Sequence, residues 1–196
     1  MAEGSKSKTI YVNGIIVGEV GATGDLQKDL DATMKFLKDK GIHKEVTKVQ
    51  AIFRQALSFA STAAHLYEKD LTKAPRNGLS LAPFVVNSAF SIELYLKTLH
   101  ELGGTPVRGH ELLKLYDSLP DPTRQAIFSC ALNNAGRYGV PVADIQQFRS
   151  FVSELNNSFV EWRYLHETNK ASHVHIRQAI LVMSALHDAC KQNGAT

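Results

Sequence analysis

The segment Leu81-Ala-Pro-Phe-Val-Val-Asn-Ser-Ala-Phe-Ser-Ile-Glu-Leu-Tyr-Leu-Lys-Thr-Leu99 carries the strongest structural signal in this chain. Apolar side chains recur along it at steps of three and four residues, which places them on one face of a helix. Gly103 and Gly104 follow and end the pattern. The segment is therefore predicted to be a helix that buries one face. Its apolar positions are Leu81, Val85, Ala89, Ile92, Leu96 and Leu99.

The same spacing continues on both sides of this segment. Upstream, the apolar stripe of residues 46–67 includes alanines, which permit close approach of a second helix. Downstream, Asp121 is a candidate N-cap before a proline, Pro141 is a candidate helix start, and Ser172 is a candidate cap for a terminal helix. These signals predict a mainly α protein, a bundle of five or more helices with short connections. The downstream helices are expected at 111–119, from 121 to about 136, from 141 and from 172.

A β-hairpin followed by a helix is predicted at the N-terminus. Two β-branched runs flank Asn13-Gly14, the dipeptide that best suits a type I′ turn. Asp25 is a candidate N-cap for a helix over 26–40, and Gly41 is its stop signal. The predicted organisation is therefore a flexible tail at 1–8, a ββα appendage at 9–41 and a helical bundle at 42–196.

Composition excludes several classes of protein. With 44% hydrophobic and 21% charged residues in 196, the chain is neither disordered nor collagen-like. No apolar run approaches the ~18–20 residues of a membrane span, and residues 1–8 lack an apolar signal core. We therefore expect a cytoplasmic protein with no membrane partner. Cys130 and Cys190 are too few for a disulfide framework and are expected to be buried thiols.

Glu93 and His110 are candidate ligand-binding residues. Glu93 lies within an apolar helix, where a carboxylate is costly unless paired, and Lys97 one turn later is its natural partner. The pair is either a structural ion pair or a polar group facing a site between helices. His110 precedes the predicted helix at 111–119, and either caps the free N–H groups of that helix or lines a nucleotide cleft.

A second candidate site lies in Phe159-Val-Glu-Trp-Arg-Tyr-Leu-His-Glu167. On a helix, Arg163, His166 and Glu167 share one face. Arginine clamps phosphate, histidine moves a proton near neutral pH, and the carboxylate orients either one. The trio is chemically sufficient for metal-free RNA cleavage, although a structural Arg163–Glu167 ion pair is the alternative.

No metal or cofactor is predicted. His166, His173 and His175 lie close in sequence, but no HExxH or paired-cysteine pattern accompanies them. The glycines at 18–24 lack the lysine of a P-loop and the βαβ context of a dinucleotide fingerprint.

Four short motifs together resemble the HEPN family. The match covers roughly residues 46–190 and leaves out the ββα appendage. The motifs are a helix with an internal Glu and Lys at 89–99, Gly103-Gly104, Gly109-His110 leading into the leucine-rich 111–119, and Trp162-Arg-Tyr-Leu-His-Glu167.

The resemblance implies a bundle that forms a homodimer and contacts RNA or a nucleotide. Nuclease members of the family place an Arg/His pair from each chain in one cleft at the dimer interface and need no metal. On this chain the pair is Arg163 and His166, although the family's nucleases usually have a longer spacer than Tyr164-Leu165. The alternative is therefore a non-catalytic module that dimerises or binds a protein partner. The expected ligand-binding residues are Glu93, Lys97, His110 and Glu167.

Overall fold

The computed structural model describes residues 6–43, 45–156, 162 and 174–195. The chain divides into two compact units, Met1–Val46 and Thr47–Thr196, so the division falls five residues after the expected boundary at 41/42. Within the described ranges there are seven α-helices and one antiparallel hairpin that precedes them. The prediction of a mainly α protein with a small N-terminal hairpin is confirmed.

The first unit is the predicted ββα arrangement. Strands β1 (Lys6–Val12) and β2 (Ile15–Ala22) pair antiparallel and are followed by helix α1 (Leu26–Asp39). The connecting turn places Asn13 at φ 51° and Gly14 at φ 80°, both in the left-handed region that a type I′ turn requires. Asn-Gly is therefore sufficient to locate this hairpin from sequence.

Strand β1 begins at Lys6, three residues earlier than the predicted tail allowed. Lys8 pairs opposite Val20, and its Nζ lies 2.7 Å from Oδ2 of Asp29 on α1. Asp29 is only 5% exposed, and its other carboxylate oxygen accepts hydrogen bonds from the backbone N–H and the hydroxyl of Thr23. The expected tail was too long because residues 6–8 pair with β2, and Asp29 adds an ion pair that holds Lys8 in the unit.

Helix α1 begins where the sequence indicated and ends one residue earlier than predicted, with Lys40 as its C-cap. Asp25 is its N-cap, and the side chain accepts hydrogen bonds from the N–H groups of Gln27 and Lys28. The chain leaves the helix through Gly41 at φ 66°.

The second unit is a bundle built around one long central helix, α3. That helix packs against α2 and α7, while α5 packs on α7 and the short α4 packs on α3 and α6. The helices are α2 (Lys48–Leu66), α3 (Leu81–Leu102), α4 (Leu112–Asp117), α5 (Asp121–Tyr138), α6 (Ile145–Glu154) and α7 (Ile176–Gln192).

Helix α3 forms the centre of the core. Phe84, Ile92 and Leu96 are fully buried, and the buried positions of α3 extend around much of its circumference. The predicted stripe therefore describes only part of the buried surface. On α2, the fully buried Ala56 and Ala63 allow the two helices to approach closely.

Helix α3 is more apolar than we expected from the sequence, in which no apolar run approaches the length of a membrane span. Among the described residues, the segment Gly78–Leu102 is long and apolar enough to cross a membrane by length and composition, with a mean hydropathy of 1.4 over its best window. Within the protein 61% of that window is buried, as in the central helix of a packed core.

Helix α5 differs from the prediction at both ends. Asp121 is its first residue instead of its cap, and Pro120 occupies the capping position. At the other end the helix continues through Gly136 to Tyr138. Gly139 adopts the left-handed φ of 61°, and this conformation, which favours a residue without Cβ, ends the helix.

Helix α6 begins later than predicted. Asp144 caps it by accepting a hydrogen bond from the N–H of Gln147, so the helix starts at Ile145 and Pro141 lies outside it. A carboxylate that accepts from the third N–H group is a stronger start signal than a proline alone. The proposed cap Ser172 lies outside the described residues, and α7 is described from Ile176.

Candidate functional site

A buried carboxylate, Glu93, is the centre of the candidate site. It lies in the middle of α3 and is 3% exposed, which makes it the one buried carboxylate in the described part of the helical unit. A carboxylate that is buried to this degree requires partners from the protein. One oxygen, Oε1, receives both partners that the structure supplies.

The first partner is Lys97, one helical turn along α3. Its Nζ lies 2.7 Å from Oε1 of Glu93, in the (i, i+4) arrangement expected from the sequence. The side chain of Lys97 is 22% exposed, so the ammonium group lies at the edge of the core and remains accessible. The pair therefore connects the interior of the bundle to its surface.

The second partner is His110, in the connection between α3 and α4. Its Nδ1 lies 2.9 Å from the same Oε1, while the side chain is 76% exposed. A carboxylate accepts hydrogen bonds only, so Nδ1 carries the proton in this contact. The preceding Gly109, at φ 109°, gives the chain a conformation that favours glycine just before this histidine.

The prediction that His110 caps α4 is wrong. Glu111 occupies the N-cap position without a side-chain hydrogen bond, and the N–H of Leu113 donates to Oδ1 of Asn156, 3.1 Å away. Asn156 follows α6, so the end of another helix supplies the acceptor that α4 needs. His110 is thereby left to contact Glu93.

We call Glu93, Lys97 and His110 the Glu93 cluster. In this cluster the carboxylate anchors two hydrogen-bond donors. The carboxylate holds an ammonium and an imidazole side by side at the protein surface. Such a pair can donate to the oxygens of an anionic ligand, and the imidazole can accept or release a proton. The described residues include no group of three His, Cys, Asp or Glu side chains that could hold a metal ion.

The other predicted site residues are Arg163, His166 and Glu167. All three lie outside the described residues. Between the ranges on either side, Trp162 is described, and its side chain is buried in the core. The structure thus brings together three of the predicted ligand-binding residues, Glu93, Lys97 and His110.

A row of hydrogen-bonded polar side chains on α5 and α7 was not predicted from the sequence. Asn134 donates to Oδ2 of Asp188 at 2.8 Å, and Oδ1 of Asp188 lies 3.1 Å from Nδ1 of His187. The His187 ring stacks on Phe53, with ring centroids 5.6 Å apart, and borders an apolar cavity of about 230 Å³. Asn134 and Asp188 are far apart in sequence, and no local motif relates them.

Both cysteines are buried, as predicted. Burial raises the pKa of the Cys130 and Cys190 thiols above their usual range, so both stay protonated and unreactive at neutral pH. The Sγ of Cys190 lies 3.4 Å from the carbonyl oxygen of Tyr95.

Comparison of this chain with protein-family models, curated proteins and solved structures finds no match.

Proposed function

We propose that the helical unit contacts RNA or a nucleotide through the Glu93 cluster. The observation that carries this proposal is that one oxygen of a buried carboxylate fixes both Lys97 and His110 at the surface. Long cationic side chains lose conformational entropy when they bind a phosphate. A lysine and a histidine that are already held in place lose less, which favours phosphate binding.

The charges of the cluster are compatible with a phosphate ligand. Glu93 is 3% exposed and is covered by its two partners, so the charge nearest to a ligand is the Lys97 ammonium. Protonation of His110 would add a second positive charge at the surface. The chain as a whole carries a formal charge of +3, which does not oppose a nucleic acid.

Cleavage of RNA is the further step that the HEPN resemblance suggests. In that case Arg163 and His166 would act without metal at the cleft of a homodimer, with His166 activating the 2′-hydroxyl and Arg163 stabilising charge on phosphorus. The motifs at 89–99 and 109–119 that support the resemblance include all three residues of the Glu93 cluster.

Binding is tested by fluorescence anisotropy with a labelled single-stranded RNA and with labelled ADP, in EDTA. We expect Lys97→Met and His110→Gln each to weaken binding by about tenfold, because each removes one charged or polar phosphate contact. Glu93→Gln should also weaken binding, since it removes the charge that positions both donors.

Lys48→Met is the matched control for this experiment. Lys48 forms an equivalent ion pair with α3, with Nζ 2.8 Å from Oε2 of Glu101, and its loss changes the net charge by the same amount. It should leave the affinity within about twofold. Failure of the wild-type protein to bind either ligand at micromolar concentration, or equal losses in the control, would rule out the proposal.

Cleavage is tested separately by incubating the same RNA with the protein in EDTA. Products that form with the wild type and disappear in Arg163→Ala and His166→Ala would support the nuclease step. Intact RNA, together with normal binding, would leave the protein as a binding module. Light scattering of the same samples measures whether a homodimer is present.

The second candidate function is a module that binds a protein partner through the ββα unit. Tyr11 and Ile16 lie opposite each other in the hairpin and are both exposed. Ile15 and Leu26 are exposed as well. Apolar side chains that are exposed next to one another are typical of interaction surfaces. A Tyr11→Lys, Ile16→Lys double variant should then lose any self-association seen by light scattering, while RNA affinity stays the same.

A further inference from the structure

A polar cavity lies where three helices of the bundle meet. It has a volume of about 280 Å³ and is bordered by Tyr116 on α4 and by the first turns of α5 and α6. The polar residues that line it, besides Tyr116, are two arginines, two glutamines and one aspartate: Arg124, Gln125 and Asp121 from α5, Gln146 and Arg149 from α6. Each arginine and glutamine side chain has at least two hydrogen-bond donors. Donors of this kind outnumber the one carboxylate, which is typical of a site for an anion.

Arg149 is oriented from behind by Asp117. Its Nε lies 2.7 Å from Oδ1 and its Nη2 lies 2.5 Å from Oδ2 of this aspartate, a two-point contact that fixes the plane of the guanidinium. Asp117 engages two of the five N–H donors and leaves the remaining edge of the group for the cavity. The aspartate thus acts as a positioning residue.

Arg124 is held only by a pair that a ligand can displace. Its Nη2 contacts Asp121, one turn earlier on α5. Asp121 is 82% exposed, so this pair contributes little to stability and its carboxylate is free to rotate into water. Asp121 itself borders the cavity, and an incoming anion would take the place of its carboxylate on Arg124.

Tyr116 borders the cavity and is a buried side chain with an unpaired hydroxyl. It is 1% exposed, yet its hydroxyl has no hydrogen-bond partner among the described residues. An unpaired buried hydroxyl is costly, and native proteins usually satisfy such groups with protein, water or ligand. Burial raises the pKa of Tyr116 to about 12, so the hydroxyl is protonated at neutral pH and can donate.

We propose that this cavity is a binding site for a phosphoryl group, held by Arg124, Arg149 and the hydroxyl of Tyr116. The three donors come from three different helices. A phosphoryl group offers three acceptor oxygens, one for each donor, whereas a carboxylate offers two. The N-terminal turns of α5 and α6 add the positive ends of two helix dipoles. The site shares no residue with the Glu93 cluster and does not depend on its function.

The test measures binding to the full-length protein by isothermal titration calorimetry with three probes. Inorganic phosphate represents a free anion, adenosine 5′-monophosphate represents a phosphate ester, and adenosine lacks the phosphoryl group. We expect phosphate and the monophosphate to bind and adenosine not to bind. Tighter binding of the monophosphate would identify a phosphate ester as the ligand. Tighter binding of inorganic phosphate would identify the free anion, and equal affinities would show that the site contacts the phosphoryl group alone.

Three variants locate the binding. Tyr116→Phe removes only the hydroxyl and should weaken phosphate binding by roughly two- to tenfold. Arg124→Gln should weaken it by about tenfold or more, because a charged contact is lost. Arg137→Gln, near the other end of α5, makes the same charge change and should have no effect. Circular dichroism of each variant checks that it is folded.

Three results would overturn the proposal. One is the absence of phosphate and monophosphate binding at millimolar concentration. Another is binding that Tyr116→Phe and Arg124→Gln leave unchanged. The third is binding that is lost in Lys97→Met but retained in Tyr116→Phe, since the ligand would then occupy the Glu93 cluster and the proposed function would stand without this second site.

Discussion

Two carboxylates, Asp29 and Glu93, show how single residues organise this protein. Each is nearly buried, and each is surrounded by donors: Lys8 and Thr23 for Asp29, Lys97 and His110 for Glu93. A buried charge without partners is strongly destabilising, so both carboxylates constrain the groups around them. Asp29 thereby connects strand and helix in the first unit, and Glu93 fixes the connection between α3 and α4.

The protonation of Asp29 should control the stability of the hairpin. The hydrogen bond from Lys8, and those from Thr23, hold the pKa of Asp29 well below the usual range of an aspartate. Because the folded pKa is lowered, this stabilisation is present above about pH 4 and is lost as the pH falls further. Asp29→Asn should therefore reduce amide-exchange protection of Lys6–Val12 at neutral pH.

Hydrogen exchange followed by mass spectrometry measures this effect on the intact chain. Asp31→Asn is the control, because Asp31 is exposed and its carboxylate accepts a hydrogen bond from Gln27 on the surface of α1. Equal protection of the hairpin in wild type and Asp29→Asn at neutral pH would contradict the prediction.

At the scale of elements, the end of α5 is determined by one glycine and not by another. Gly139 has a left-handed φ of 61°, whereas Gly136 lies within the helix with no atom near the position of an added Cβ. Gly139→Ala should destabilise the protein by about 1–2 kcal/mol because an L residue is strained there. Gly136→Ala should stabilise it by about 0.5–1 kcal/mol. Urea denaturation distinguishes these opposite signs, and two shifts of the same sign would refute this account of the helix end.

The contact between α2 and α3 depends on small side chains. Ala63 is fully buried on α2, and a larger side chain there would force the helices apart. Ala63→Leu should lower the free energy of unfolding by about 1–3 kcal/mol. Ala51→Leu, on the exposed side of the same helix, should change it by less than about 0.5 kcal/mol. Thermal melts of the two variants should separate clearly; similar melting temperatures would show that the packing at Ala63 is loose.

At the scale of the whole molecule, the buried apolar core belongs to the helical unit. Among the described residues, the buried hydrophobic side chains run from Phe53 to Ala195. A fragment covering residues 47–196 keeps all of them and should therefore unfold cooperatively. Its melting temperature should lie within a few degrees of the temperature at which the full chain loses its helical signal. Circular dichroism at 222 nm tests this expectation. A fragment that lacks a cooperative transition would show that the first unit is required for the fold of the second.

The sequence by itself determined the elements of this protein. Asn13-Gly14 located the hairpin and the Leu81–Leu99 stripe located the central helix, because turn conformation and helical periodicity depend on neighbours along the chain. The (i, i+4) spacing also indicated the Glu93–Lys97 pair, which lies within one turn of one helix.

Only the tertiary structure decided which elements supply each other's polar partners. Asn156 caps α4 in place of His110, His110 turns to Glu93 on α3, and Asp117 orients Arg149 on α6. A periodic pattern indicates which face of a helix is buried but not which residue of another helix lies opposite. That choice depends on packing angles set by the whole core, so these contacts could not be read from the spacing of residues along the chain.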